Sequence, residues 1–578
     1  LVAGSIPLLV ALAAVAVTLL GLLGLTAVGV VSEYAVNVVT LLGIGLAVDY
    51  SLLLVARFRE ERAAKPDAPL PELLGRTTAT AGRAVLVSGL TVGAALAGLF
   101  VFAEPLLAAM ALGGAVVVAL ATLVALTGVP ALLAVVQRHI PAPGAQTWVR
   151  RAIASLGRLV PPRLAAARPS AGTRTASEPQ PRGLLGRLAA FAQRRPAPVA
   201  LAVTAGLLVL AAPFLSANLA NSDARALPTS MEARRAYDVL QRDFNAERAA
   251  PVSVVVEADP ARPDVLAMLN RLNTMPQVTR LELRMDVPPG AVIVDLYPEG
   301  ETAGRESRDL VRAVRAMDVP FPIVVAGPAA EVVDYGASVA SRLPAAVLVL
   351  LAATAILLFV LTGSFVVPIK ALVMNALTLL ATLGVLVVVF QWGWGGPLLG
   401  FEPWGALDLT TPVLLFVFVF GLSMDYEVFL LARIREEWDR RSRKRRAGEP
   451  EAASDRAVLR GITKTGPVVT AAALCITIVF LGFVLGDLVA VKEIGVGMAV
   501  AVLLDVTVVR GLLLPAVMSL LGEWNWWAPG PLRRWYERRL SVAAGGRSSA
   551  QRTPPVGESR DDQDFVTAER GSNSTPSS

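Results

Sequence analysis

Ten stretches of this chain are apolar for about twenty residues at a time, the length an α-helix needs to cross the roughly 30 Å hydrocarbon core of a bilayer. They run over about 4–26, 35–56, 84–103, 109–136, 197–215, 344–362, 366–390, 411–432, 468–486 and 490–520. Inside hydrocarbon every backbone amide must be satisfied within the protein, and a continuous apolar run does so as a helix. The chain therefore reads as an α-helical polytopic membrane protein. Its balance agrees, since 54% of its 578 residues are hydrophobic and 17% are charged.

Several function classes fall away on composition. The chain has one cysteine, Cys475, and one histidine, His139. A disulfide framework, a cysteine metal site, a histidine-ligated metal and a Ser-His triad are therefore poor readings. No G-x-x-x-x-G-K-[ST] loop is present, which points to an ion gradient as the energy source. The expectation is a protein that is not an enzyme, has no cofactor and draws on a proton gradient. The net charge of +7 does not signal nucleic acid. Between Gln137 and Arg195 lie eleven arginines and one acid, Glu178, and Arg433–Lys464 carries eleven Lys/Arg against six acids. Both segments flank spans, so the bias of cytoplasmic loops towards positive charge accounts for them. Alternation then puts both chain ends and 137–196 inside and 216–343 outside. The loop Gln391–Thr410 agrees, with Glu402 and Asp408 but no Lys or Arg.

The outer segment differs in kind. Val252–Val256, Val278–Leu283, Ala291–Leu296 and Ile323–Val325 read as strands, and Pro263–Leu272 and Ser307–Met317 as helices. The order βαββαβ suggests a small α+β sandwich of split βαβ topology. The expected organisation is a four-helix first bundle (1–136), a basic cytoplasmic linker (137–196), a span (197–215), the extracytoplasmic α+β domain (216–343), a five-helix second bundle (344–522) and a largely disordered cytoplasmic tail (523–578).

The chain repeats itself. Gly45–Glu61 reads GLAVDYSLLLVARFREE and Gly421–Glu437 reads GLSMDYEVFLLARIREE, with ten identities in seventeen positions and no gap. Downstream, Gly82 aligns with Gly466 and Pro130 with Pro515. Two parallel halves related by an axis along the membrane normal form a transporter architecture. Leu1 aligns near Phe365, so the repeat predicts two more spans and a second outer domain upstream of Leu1 in a full-length protein.

Each repeat block places an Asp-Tyr pair, Asp49-Tyr50 and Asp425-Tyr426, inside a span. A carboxylate there costs about 2.5–3.5 kcal/mol on insertion scales, and an intramembrane acid is a functional candidate by default. Neighbours on a helix point about 100° apart, so neither Asp is served by its own Tyr. If the symmetry axis brings the helices together, Asp49 meets Tyr426 and Asp425 meets Tyr50. Low dielectric disfavours the charged carboxylate, the property a proton relay uses. The alternative is polar glue between helices with no proton movement. Asp505, five residues before Arg510, reads as a structural ion pair or an accessory site, and Ser88 as core packing or an accessory near Asp49. Glu427 reads as a carboxylate that snorkels to the inner interface, and Trp524, Trp526 and Trp527 as an interfacial aromatic belt.

LLGIGLAVDYSLLLVARFREE and FGLSMDYEVFLLARIREEW resemble the paired signature helices of the MMPL family (mycobacterial membrane protein large) of the resistance-nodulation-division superfamily. The resemblance covers nearly all of the chain up to GEWNWWAPGPLRR. It implies twelve spans, two porter-type periplasmic domains and proton-driven export of lipids or other hydrophobic molecules, with Asp49, Tyr50, Asp425 and Tyr426 carrying the proton. The chain departs from the pattern by lacking the region of the first span, first outer domain and second span. The expected location is the plasma membrane, and the expected partners are a hydrophobic substrate, protons, the membrane and, as a monomer or a trimer, envelope accessory proteins. A multidrug exporter, a lipid-sensing scaffold and a protein-translocation auxiliary remain open as alternatives.

Overall fold

The computed structural model describes residues 2–27, 33–137, 183–222, 224–243, 250–284, 287, 290–298, 302, 304–445 and 453–536. Most of the expected linker and the end of the tail lie outside the described residues. In chain order the helices are α1 (Val2–Thr26), α2 (Glu33–Ala64), α3 (Leu70–Thr77), α4 (Arg83–Ala97), α5 (Pro105–Val136), α6 (Gly183–Arg194) and α7 (Pro196–Ala211). Then come α8 (Glu232–Asp243), α9 (Pro263–Asn273), α10 (Arg305–Arg315), α11 (Pro328–Thr362) and α12 (Val366–Leu386). The series ends with α13 (Gly396–Leu399), α14 (Thr411–Arg445), α15 (Ala453–Val484), α16 (Val489–Leu503) and α17 (Leu514–Leu521).

Among the described residues, nine helical segments are long and apolar enough to cross a membrane. They coincide with nine of the ten runs expected from sequence, and the tenth, 35–56, lies on α2. The protein is a multi-pass membrane protein. Three spans begin well before their apolar runs, at Leu70, Pro328 and Ser454. The π-helical turn Thr78–Gly82 interrupts the first of them and Pro344 and Pro467 lie inside the other two where the apolar runs begin, yet none of these ends its segment, and each continues into polar surroundings with most of its backbone bonds made internally.

The two halves interlock. α2 packs against α15, and α14 packs against α4. Since α2 and α14 are repeat partners, as are α4 and α15, these are one contact made twice about the pseudo-symmetry axis. Among the nine described segments α14 is the most buried, with 82% of its apolar window buried against 6% for Pro196–Ser216. Gly384 sets the closest approach of α7 and α12: a Cβ there would lie 1.9 Å from the Leu210 carbonyl oxygen.

Two sequence expectations change. The basic linker ends in a helix, because Leu185, Ala189 and Ala192 recur at helical spacing and are buried. This helix, α6, packs on α15 and on the π-helical turn Leu504–Leu513. The tryptophan belt is also divided. Trp524 and Trp527 are exposed, whereas Trp526 stacks on Trp438 with ring centroids 5.8 Å apart.

Outside the spans, β2 (Val252–Val256), β3 (Val278–Arg284), β4 (Val292–Pro298) and β5 (Ile323–Ala326) form one antiparallel sheet in the order β3-β4-β2-β5. That order and the two helices between the strands give the split βαβ topology read from sequence. In central β2, Val252, Val254 and Val256 alternate into the core, where Leu310, Val311 and Val314 of α10 cover them. A short parallel pair, β1 (Leu219–Ala220) with β6 (Leu407–Asp408), ties the entry to this domain to the loop before α14.

Candidate functional site: an Asp-Tyr centre across the repeat axis

Asp49 lies on α2 and Tyr426 on α14, the two repeat-related helices. Both side chains are 7% exposed. The Tyr426 hydroxyl donates to Asp49 Oδ2 at 2.6 Å. That length falls in the range of charge-assisted O–H···O bonds, which are roughly twice as strong as neutral ones. Of the two contacts expected between the halves, the structure makes this one. Tyr50 is buried, and the Ser88 hydroxyl of α4 donates to its oxygen at 3.2 Å. That is beyond the usual O–H···O range, so Ser88 is adjacent but weakly bonded. The reciprocal expectation, Asp425 with Tyr50, falls on a side chain outside the described residues. Asp49, Tyr50, Ser88 and Tyr426 line a cavity of about 40 Å³ closed by Leu53, Val85 and Phe429. A space of that size is large enough for a water molecule beside the Asp49 and Tyr426 oxygens.

A second layer of polar groups stands behind Tyr426. The Arg510 guanidinium lies over its ring, 5.3 Å from the centroid. Arg510 is bound by Asp505 through two contacts, 2.9 Å from Nε and 2.7 Å from the terminal nitrogen. On a regular α-helix residues five apart diverge, but Leu504–Leu513 is a π-helical turn, whose i→i+5 bonding brings Asp505 and Arg510 to one side. Arg510 also donates to the Ser423 carbonyl and, at 3.2 Å, to the Ser423 hydroxyl. That hydroxyl donates to Asn375 Oδ1 at 2.7 Å. Asp505 is thus a buried ion-pair member one residue removed from Tyr426, with no hydrogen bond to Asp49 among the described contacts.

Glu427 does not snorkel. It is 6% exposed and faces the bundle interior, where Arg510, Lys370 and Asp505 are the charges that act on it. One residue on from Tyr426, Glu427 is turned by the helix towards α12 instead of the lipid. Lys370 of α12 is 7% exposed, and its ammonium has no hydrogen-bond partner among the described residues. Sequence reading passed over Lys370, Asn375 and Ser423. A signal was present for Lys370, a lone cation within the apolar run 366–390. Glu493 of α16 was also missed. Fully buried, it accepts from Thr411 Oγ1 at 2.9 Å and from the Asp408 amide at 3.2 Å.

Comparison with known proteins places this arrangement. A profile of the MMPL family matches residues 1–199 and 227–549. The putative membrane protein SCO6666 of Streptomyces coelicolor is 41% identical over 93% of this chain and 69% of its own length. The mycolic acid-containing lipids exporter MmpL11 of Mycolicibacterium smegmatis is 32% identical over 93% of this chain and 54% of its own. The heme uptake protein MmpL11 of Mycobacterium tuberculosis H37Rv is 32% identical over 92% and 52%. The chain thus spans about half the length of both mycobacterial relatives. Among solved structures, the translocon-associated SecDF of Thermus superposes with a TM-score of 0.50 at 15% identity, over 90% of this chain and 58% of that one. That likeness concerns the fold alone. With the family profile matched across both repeats and both Asp-Tyr blocks inside it, the chain belongs to the MMPL family.

Proposed function

We propose that the protein is a proton-driven secondary exporter of lipids or other hydrophobic molecules across the plasma membrane, with Asp49, Tyr50, Asp425 and Tyr426 as its relay. The observation that carries this is the 2.6 Å bond from Tyr426 to Asp49, made between the two halves by side chains buried in the bundle. An ionised Asp49 only accepts hydrogen bonds, whereas a protonated one also donates. Loading a proton therefore changes the contact that joins α2 to α14, and with it the relative stability of two arrangements of the halves. The α+β domain, tied to the start of α14 through β1 and β6, would convert that change into opening of a substrate path on the outer face. The charge asymmetry of the loops supports that sidedness.

The exporter name of the Mycolicibacterium relative supports a lipid substrate. An equally similar relative is named for heme uptake, so identity at this level does not fix substrate or direction. The test is the envelope lipid profile of a strain lacking the gene, complemented with wild type or with Asp49→Asn. A surface lipid that returns with wild type and not with Asp49→Asn supports the proposal. If both restore it, the carboxylate is structural glue. If no lipid changes in any strain, drug export becomes the leading account.

A further inference from the structure

Beyond the Asp-Tyr centre, α2 and α14 enclose a second cavity of about 290 Å³. Its walls include Leu53, Ala56, Ala84, Phe429, Ala432 and Val468. Under the alignment of Gly45 with Gly421 and Gly82 with Gly466, these are three repeat pairs: Leu53 with Phe429, Ala56 with Ala432, and Ala84 with Val468. The cavity therefore lies on the pseudo-symmetry axis. Leu53, Ala84, Phe429 and Val468 also line the smaller cavity at Asp49 and Tyr426, so the two spaces adjoin.

The far end of this cavity is charged, and again by repeat partners: Arg57 with Arg433 and Glu60 with Glu436. Most of the pairing there stays within one half. Arg57 reaches Glu60 at 3.1 Å and Glu61 at 2.5 Å and donates to Thr80 Oγ1 at 3.1 Å, while Arg433 reaches Glu436 at 2.6 Å. Among the described contacts, Arg433 to Glu60 at 3.6 Å crosses the axis. These two side chains are 26% and 46% exposed. Such a solvated pair is weak and readily broken.

We infer that this axial vestibule is the aqueous path by which the buried relay exchanges protons with the side of the membrane bearing the basic loops, and that Glu60 and Arg433 form its gate. The inference rests on the relay reading above. A centre as buried as Asp49 needs a route to water, and the cavity is the space adjoining it that ends among charged groups. The cavity passes from apolar walls beside the Asp49 site to charged groups at its far end. The gate belongs to both halves, as does the Asp49–Tyr426 bond, and Glu60 lies eleven residues beyond Asp49 on α2, roughly 16 Å along one rigid helix. A tilt of one half against the other therefore acts on both contacts together.

The test uses full-length protein with Cys475→Ala, reconstituted in liposomes with a pH-sensitive dye inside. In Glu60→Cys/Arg433→Cys, bridging by a short bis-methanethiosulfonate should cut gradient-driven proton uptake roughly tenfold or more, as closing a gate does, and a reductant should restore it. In Ala432→Cys, a charged, membrane-impermeant methanethiosulfonate added on the basic-loop side should react and block uptake. Bridged protein that takes up protons at the unbridged rate overturns the gate, and an unreactive Cys at position 432 overturns the path. Absence of uptake in the Cys475→Ala parent is a separate result, which overturns the relay reading itself.

Discussion

Tyr426 is the residue on which most of the centre converges: its hydroxyl serves Asp49 and its ring face meets Arg510. Replacing Tyr426 by Phe leaves the ring and removes the donor to a buried carboxylate. A hydrogen bond to a charged group contributes about 1.5–3 kcal/mol. Tyr426→Phe should lower thermal stability in detergent by about that much and abolish proton uptake. The Asp505–Arg510 pair makes a contrasting prediction. Removing one member strands a buried charge at a cost of about 3–5 kcal/mol, whereas replacing both with apolar residues of similar size is often nearly neutral. Asp505→Leu and Arg510→Met should each destabilise strongly, and the double variant should recover most of the loss in a melting experiment. The Asp49–Tyr426 contact was legible in sequence because an Asp-Tyr pair occurs twice, at the same place in each half. The Lys370–Glu427 encounter was not, since it depends on how α12 approaches α14 and no spacing within one helix encodes that.

At the scale of elements, close packing of helices depends on where a side chain is missing. Gly384 brings α12 against α7 so tightly that a Cβ would meet the Leu210 carbonyl at 1.9 Å. Gly482 on α15 has nothing within 4 Å of the same position. Gly384→Ala should separate the two helices and lower the melting temperature clearly. Gly482→Ala should be neutral or stabilising by up to about 1 kcal/mol, the difference in helix propensity. Equal effects in the two variants would contradict the packing. Both glycines look alike in sequence, because what distinguishes them is the backbone of another helix. The α+β domain was far more legible. Its valines alternate with period two and its helices begin at Pro263 and just after Gly304, so local signals bounded each element. The π-helical turn 504–513 was not, since nothing but the unusual five-residue spacing of Asp505 and Arg510 hinted at it.

At the scale of the whole molecule, two halves exchange equivalent helix contacts about one axis, and a polar knot ties the bundle to the domain outside it. Asp408 accepts from Ser222 at 2.5 Å and from the Thr410 hydroxyl at 2.5 Å, while Glu493 holds the Asp408 amide and Thr411 at the start of α14. If that knot transmits movement of α14 to the domain, Glu493→Ala should leave proton uptake largely intact and reduce export several-fold, a separation visible when both are measured on one preparation. Loss of both together would place Glu493 in folding instead. The central claim, that a proton moves through the contact between Asp49 and Tyr426, is tested most directly by proton uptake into liposomes under an imposed pH gradient. Wild-type protein should take up protons, and Asp49→Asn and Tyr426→Phe, both confirmed folded by a monodisperse elution profile, should not. Uptake by Asp49→Asn at the wild-type rate would contradict the account.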